Sequence, residues 1–218
     1  MDSIGTCYVV GAGDFTARDF APKRNPPKQD LVIAADGGYL ALQSIHCMPD
    51  LLLGDFDSMV DTSHVPAELP MLRHPVHKND TDTSLALDQG WERGYRDFVL
   101  YGCGGGRLDH LLANIQCMCR LSKLGGHMRL VDQAYDLYTL TNGTLTLPPR
   151  PAGTLVSVFC HGSPASGVTL RGLLYPLTNA TLVCDTPLGV SNQFLSSAEP
   201  AAIAVENGTV VVMAYVRP

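Results

Sequence analysis

The chain has no excess of basic residues: 15 Lys and Arg stand against 21 Asp and Glu in 218 residues, a formal net charge of −6. Nucleic-acid binding needs a basic face that replaces condensed counterions, so that class is excluded as a leading reading and no nucleic-acid partner is expected. An ATP site is not excluded, because a hard cation can bring phosphates to acidic side chains. No Cys-x-x-Cys pair occurs among Cys7, Cys47, Cys103, Cys117, Cys119, Cys160 and Cys184. A structural zinc site is therefore not expected. Seven scattered thiols, an odd number, predict free and mostly buried cysteines in a reducing, cytoplasmic setting. The chain also lacks any run of about 18 apolar residues, so no membrane span is expected. Met1 to Tyr8 carries no basic segment followed by an apolar run and is not expected to act as a signal peptide. Internal repeats and low-complexity tracts are absent as well.

What is present falls into two halves. From Cys7 to about Asp132, short apolar runs alternate with helix-like segments. Cys7 to Val10 ends in Gly11-Ala12-Gly13; Leu31 to Ala35 ends in Asp36-Gly37-Gly38; Leu51 to Leu53 ends in Gly54-Asp55. Phe98 to Tyr101 ends in Gly102 and Gly104-Gly105-Gly106. Continuous runs of this length suit strands covered on both faces. Leu108, Leu111, Leu112, Ile115 and Cys119 form one apolar stripe at helical spacing. Thr81 or Thr83 can cap a helix that runs through Leu85, Ala86 and Trp91. The alternation predicts an α/β nucleotide-binding domain with a mostly parallel sheet over residues 1–134. After Ala134 the pattern changes: Pro148, Pro149 and Pro151 interrupt the chain, and short strand-like pieces recur between turns. Residues 135–218 are predicted to form an all-β sandwich.

Carboxylates recur where strands end. Asp36, Asp55, Asp57 and Asp109 follow predicted strands, and Asp80 and Asp82 precede a helix. Ligands of open α/β sheets bind outside the carboxyl ends of strands. Like charges crowded on one rim resist ionisation unless a cation offsets them, and oxygen-rich sites favour Mg²⁺ with substrate phosphates. Gly37-Gly38 and Gly104-Gly105-Gly106 let backbone N–H groups approach phosphate oxygens. Arg107 can clamp a phosphate with its fork of donors, and Lys78 can serve as a point charge. Each feature alone has a plain structural reading, since an Asp after a strand is commonly a turn residue or helix cap. Gly11-Ala12-Gly13 is a dinucleotide fingerprint without its third glycine and receives little weight. His110 can be a general base or a structural partner of Asp109, and the residues do not choose.

In order along the chain, Ala35-Asp36-Gly37-Gly38, Gly54-Asp55-Phe56-Asp57-Ser58, Lys78 through Leu87, Gly105-Gly106-Arg107-Leu108-Asp109-His110, Gly172 through Leu177 and Gly189-Val190-Ser191-Asn192 resemble the thiamine pyrophosphokinase family. The likeness runs from about Val9 to Val212. It implies transfer of pyrophosphate from ATP to the hydroxyl of thiamine, with release of AMP. It implies Asp55, Asp57 and Asp82 as holders of Mg²⁺ and phosphates, with Arg107 beside them as the fourth catalytic position. Asp36, Gly37, Gly38, Lys78, Thr81, Gly105, Gly106, Arg107, Asp109 and His110 would line the nucleotide site. Ser191 and Asn192 would lie near thiamine, in a site shared across a homodimer. Two positions depart from the family pattern: Asn79 stands where an acidic residue is common, with Asp80 beside it, and Ser84 stands where Glu is common. Which carboxylate, Asp57 or Asp82, orients or deprotonates the hydroxyl stays open. Another small alcohol as acceptor, or a nucleotide- or thiamine-binding module without catalysis, are the rival readings.

Overall fold

A computed structural model describes residues 4–23, 29–54, 65–73 and 80–217. The chain divides into two compact units, Met1–Cys117 with Leu130–Gln133, and Met118–Arg129 with Ala134–Pro218. Among the described residues there are twelve strands and three helices, and the pairings are mixed, parallel in the first unit and antiparallel in the second.

The first unit holds β1 (Thr6–Val10), β2 (Leu31–Ala35), α1 (Gly38–Ser44), β3 (Leu51–Gly54), β4 (Met71–Arg73), α2 (Asp82–Glu92) and β5 (Asp97–Tyr101). The order β5-β1-β2-β3-β4 is parallel throughout. β1, β2 and β3 are apolar along their length because both faces are covered. Val10 pairs with Ala34 on one side and Tyr101 on the other, so three carboxyl ends finish level. Two buried or half-buried carboxylates at the opposite end fix this register. Asp30 accepts from the N–H of Thr6 at 2.8 Å and of Lys23 at 2.6 Å, and Asp50 accepts from Val32 N–H at 2.7 Å. The chain steps from β1 outward through β2, β3 and β4, then returns to the far side of β1 with β5. The direction of winding therefore reverses between β1 and β5. Gly38, at the start of α1, packs against the β1 end so closely that a Cβ there would collide with the Val10 carbonyl.

α3 (Leu108–Lys123) begins in the first unit and ends in the second. Its expected apolar stripe is only partly buried. Leu108 and Leu112 are 69% and 55% exposed, and the buried side runs instead through Asn114, Met118, Cys119, Leu121 and Ser122. The polar members belong to that side because they have partners: Asn114 Nδ2 donates to Cys103 O at 2.9 Å, and Ser122 Oγ lies 3.0 Å from Thr141 Oγ1. Thr139 Oγ1 donates to Met118 O at 3.3 Å, a bond within the β-rich unit that includes Met118–Arg129.

β6 (His127–Val131) spans the division, and β7 (Tyr135–Leu147), β8 (Leu155–Cys160), β9 (Ala165–Arg171), β10 (Leu177–Leu182), β11 (Asn192–Gln193) and β12 (Ala201–Tyr215) complete the second unit. β12 pairs with β7 along one edge; its other edge takes β9 over the first half and β8 over the second. Glu206-Asn207-Gly208 does not end β12, although Asn-Gly is a common turn pair. It is a bulge: the β7 register shifts between Val205 and Thr209, Gly208 takes φ +117°, and its N–H donates to Asn142 Oδ1 at 2.8 Å. Leu147, Val156, Val168, Leu170, Phe194, Ile203 and Val212 fill the core. Asp136 is fully buried, paired with Arg129 at 3.2 Å and with Arg150, whose guanidinium also donates to the carbonyls of Ala214 and Tyr215. Trp91 is half-buried, with the Arg96 guanidinium 3.7 Å from its ring centroid.

Candidate active site

A cavity of about 320 Å³ opens where the winding reverses, at the carboxyl ends of β1 and β5. One wall is Gly11, Ala12 and Gly13, and the other runs from Gly102 and Cys103 to Gly105, Gly106 and Arg107, with Thr83, His110 and Asn114 closing the sides. The two loops touch backbone to backbone. Gly11 N–H donates to Tyr101 O at 2.8 Å and Gly13 N–H to Gly102 O at 2.9 Å. A Cβ on Gly11 would stand 2.8 Å from Gly102 O and 2.9 Å from Cys103 Sγ, and Gly102 itself has φ +61°. Side chains at these positions would force the loops apart.

At the mouth, Arg107 forms a two-pronged bond with Asp109: Nε to Oδ1 at 3.1 Å and the terminal nitrogen to Oδ2 at 2.6 Å. Asp109 Oδ1 also accepts from His110 N–H at 3.1 Å. The Arg107 hydrogen bonds, helped by the His110 amide, bring the Asp109 carboxyl down to about 2. Arg107 is raised in turn by the same partner. Both side chains are largely exposed, at 70% and 65%, so the pair presents a cation at the mouth that an incoming phosphate can share. Burial pushes the Cys103 thiol up to about 12, against the lowering effect of its Thr83 and Gly11 hydrogen bonds. Cys103 is thus a neutral wall.

Of the residues expected from sequence, Gly105, Gly106, Arg107 and His110 meet around this cavity, and Asp109 joins them through Arg107. Asp36 stands at the end of β2 with φ +49°; its N–H donates to Leu53 O at 2.7 Å, and Gly54 packs against its Cα. The ends of β2 and β3 are thereby held together, just before Asp55. Gly37 is the N-cap of α1 and Gly38 its first residue. Thr81 caps α2, its Oγ1 accepting from Ser84 N–H at 3.1 Å, and Asp82 occupies the first turn. Asp55, Asp57, Lys78 and Asn79 lie outside the described residues. Among the described residues, no three His, Cys, Asp or Glu side chains converge on one point that could hold a metal.

In the second unit, Ser191 is exposed with φ +57°, and its N–H donates to Ser157 Oγ at 3.1 Å. Asn192 is buried, and its amide is already committed. Oδ1 accepts from Tyr175 N–H at 2.9 Å and Nδ2 donates to Tyr175 O at 2.7 Å. Asn192 thus binds the Gly172–Leu177 stretch to the Gly189–Asn192 stretch and leaves Ser191 as the hydroxyl facing solvent. Gly189 is required there because a Cβ would collide with Val158 O.

Gly11, Ala12, Gly13, Thr83, Cys103 and Asn114 line the cavity although the sequence did not mark them as site residues. The strand-Gly-x-Gly signal was visible at Gly11 and Gly13; the reversal of strand order that gives it meaning was not.

A family model for the thiamin pyrophosphokinase catalytic domain matches residues 24–130, and one for the thiamin pyrophosphokinase vitamin B1 binding domain matches residues 143–210. Thiamine pyrophosphokinase of Bacillus subtilis (strain 168) is 28% identical over 170 residues, 77% of this chain and 79% of that protein. The crystal structure of thiamine pyrophosphokinase from Bacillus subtilis superposes with a TM-score of 0.84 at 24% identity, covering 97% of this chain and 99% of that one. A thiamin pyrophosphokinase family protein from Enterococcus faecalis superposes with a TM-score of 0.77 at 28% identity, covering 97% and 98%. With two domain models of one family matched in order, the chain belongs to the thiamine pyrophosphokinase family.

Proposed function

We propose that this chain transfers the pyrophosphoryl group of ATP to the hydroxyl of thiamine, forming thiamine diphosphate and AMP. The observation that carries the reading is the glycine-walled cavity between the β1 and β5 loops, with Arg107 at its mouth, in a chain matched by both a catalytic and a vitamin B1 binding family model. Phosphate chemistry of this kind asks the protein mainly to position groups and offset charge. The Gly11–Gly13 and Gly105–Gly106 backbones can approach phosphate oxygens without side chains in the way. Arg107, turning from Asp109 to the nucleotide, offsets charge on the transferred group. We read the first unit as the nucleotide domain and the second as the acceptor domain. Ser191 contacts thiamine there, while Asn192 shapes the segment that presents it.

Mg²⁺ is part of the same proposal. Asp82 at the start of α2 is one hard oxygen donor of the right chemistry, and Asp55, which follows the Gly54–Asp36 contact, and Asp57 would be the others. When bound there, the ion would offset triphosphate charge. A homodimer with a shared acceptor site, in the cytoplasm, completes the reading; among the described residues, no helix is long and apolar enough to cross a membrane.

The test is AMP release from Mg-ATP with and without thiamine, with the product weighed for added pyrophosphate. Thiamine-dependent AMP together with thiamine diphosphate is the expected result. AMP without thiamine dependence would keep the donor site and reject the acceptor. No AMP from folded protein with several metals would reject catalysis.

A further inference from the structure

Two cysteines that the proposed reaction does not use stand side by side in the second unit. Cys160 closes β8, and Cys184 follows β10 by two residues. The Cys160 S–H donates to Cys184 Sγ across 3.2 Å. Both thiols are free, Cys184 is exposed, and both line a cavity of about 220 Å³ with Val158, Leu182 and Pro187. No neighbouring cysteine in sequence explains the meeting: β9 and β10 lie between them in the chain.

We propose that Cys160 and Cys184 form a reversible disulfide, made by exchange with a small disulfide such as oxidised glutathione. The exposed Cys184 thiolate attacks one sulfur of the oxidant, forming a mixed disulfide and expelling one thiolate. Cys160 then gives its proton to solvent and attacks Cys184 Sγ. The bond to the small thiol breaks as the Cys160–Cys184 bond forms, and the second thiolate leaves. Two protein thiols are oxidised, one small disulfide is reduced to two thiols, and no other reactant is needed. Closure brings the sulfurs from 3.2 Å to a bond of about 2.05 Å, a movement of about 1 Å. The exposed segment after β10, with Cys184, Asp185 and Leu188 facing solvent, can supply it. Burial, then the hydrogen bond to Cys184, raise the Cys160 thiol to about 11, which agrees with Cys184 meeting the oxidant first. The bond would tie the end of β8 to the stretch that leads into Ser191.

The pair is convenient to map because Arg171 separates the two cysteines and each tryptic peptide, one ending at Arg171 and one beginning at Gly172, holds a single cysteine. Native, fully reduced protein is incubated with excess oxidised glutathione, quenched in acid, alkylated and digested. The expected product is the two peptides joined, lighter by two hydrogens than their sum and separated again by a dithiol reductant. In Cys160→Ser, Cys184 should stop at the glutathione adduct. The proposal is overturned if wild-type protein keeps both thiols alkylatable. It is equally overturned if Cys184 accumulates as the glutathione adduct with Cys160 still free, or if either cysteine pairs elsewhere. The readout is a mass, so it stands whether or not the enzyme assay succeeds.

Discussion

Replacing Gly11 by Ala tests whether the β1–β5 cavity is the donor site. The new Cβ would lie 2.8 Å from Gly102 O and 2.9 Å from Cys103 Sγ, with Gly102 C at 3.5 Å. Neither neighbour is the free end of a flexible side chain: one is backbone, and the other is a buried thiol bonded to Tyr101 O at 3.2 Å. The loops must therefore part by several tenths of an ångström, which strains or breaks the 2.9 Å bond from Gly13 N–H to Gly102 O. Overpacking of this kind costs about 1–3 kcal/mol, and a lost backbone hydrogen bond adds about 1 kcal/mol. A fall in Tm of roughly 5–15 °C follows for a chain of this size. Displaced phosphate-facing amides should lower kcat/KM for ATP by up to about 10²-fold, the upper bound set by the cost of a full ångström of misplacement. Gly125→Ala is the control. Unlike Gly11 it has positive φ, +92°, and nothing lies within 4 Å of the added carbon. It should therefore carry only backbone strain of about 1–2 kcal/mol and leave turnover intact. The assay is calorimetry together with coupled AMP release at varied ATP, below the melting range of each variant. If Gly11→Ala lost stability but bound and turned over ATP as the parent does, the nucleotide would have to sit elsewhere.

Three further outcomes are expected. The Asp109 carboxyl, titrated by NMR, should have its midpoint at about 2, and Arg107→Ala should return it toward the ordinary carboxylate range. Because the folded value is depressed, the pair's contribution to stability is present above pH ~4 and fades as pH falls through about 2, so the stability difference between Arg107→Ala and the parent should be constant and small above pH ~4 and should vanish across that window. Asp136→Asn should destabilise the second unit by about 3–5 kcal/mol in denaturant unfolding, since it leaves Arg129 and Arg150 facing a buried site without their counter-charge; an unchanged midpoint would contradict this. Ser191→Ala should raise the KM for thiamine with little change for ATP, and an effect confined to ATP would reject its role.

Four strands of the first unit, β1, β2, β3 and β5, were legible because each carries its own signal, whereas the three-residue β4 was not read. Cys7–Val10, Leu51–Leu53 and Phe98–Tyr101 are apolar without interruption, and each stops at glycine or aspartate. β7 was not read as a strand: its alternating pieces, Thr139-Leu140-Thr141 and Thr144-Leu145-Thr146-Leu147, are short and separated by Asn142-Gly143, which reads as a turn. Their pairing with β12 accounts for the strand, together with hydrogen bonds such as Thr141 Oγ1 to Thr209 Oγ1 at 2.9 Å. The α3 stripe misled for a related reason. Leu108 and Leu112 satisfy helical periodicity, yet the helix turns its Asn114 side inward because that amide has the Cys103 carbonyl to meet. Periodicity counts apolar residues; it does not register a polar side chain whose partner lies elsewhere in the sequence.

The same reasoning explains why Gly105, Gly106 and Arg107 could be marked from sequence while Gly11 and Gly13 could not. Gly105, Gly106 and Arg107 were marked by the Gly105-Gly106-Arg107-Leu108-Asp109-His110 segment that resembles the family, beside carboxylates at successive strand ends. Gly11-Ala12-Gly13 is an ordinary turn until β5 is placed beside β1, more than 80 residues later in the chain. Only then do the two loops become one surface, each lacking side chains where the other's backbone arrives. Gly102 needs φ +61° and Gly11 needs the absence of a Cβ, and neither requirement has a cause within its own loop. The cavity is a product of the pairing, so a substitution on either loop acts on both. Gly11→Ala and Gly102→Ala should therefore fail to add: once one loop has been pushed away, the second methyl meets less resistance.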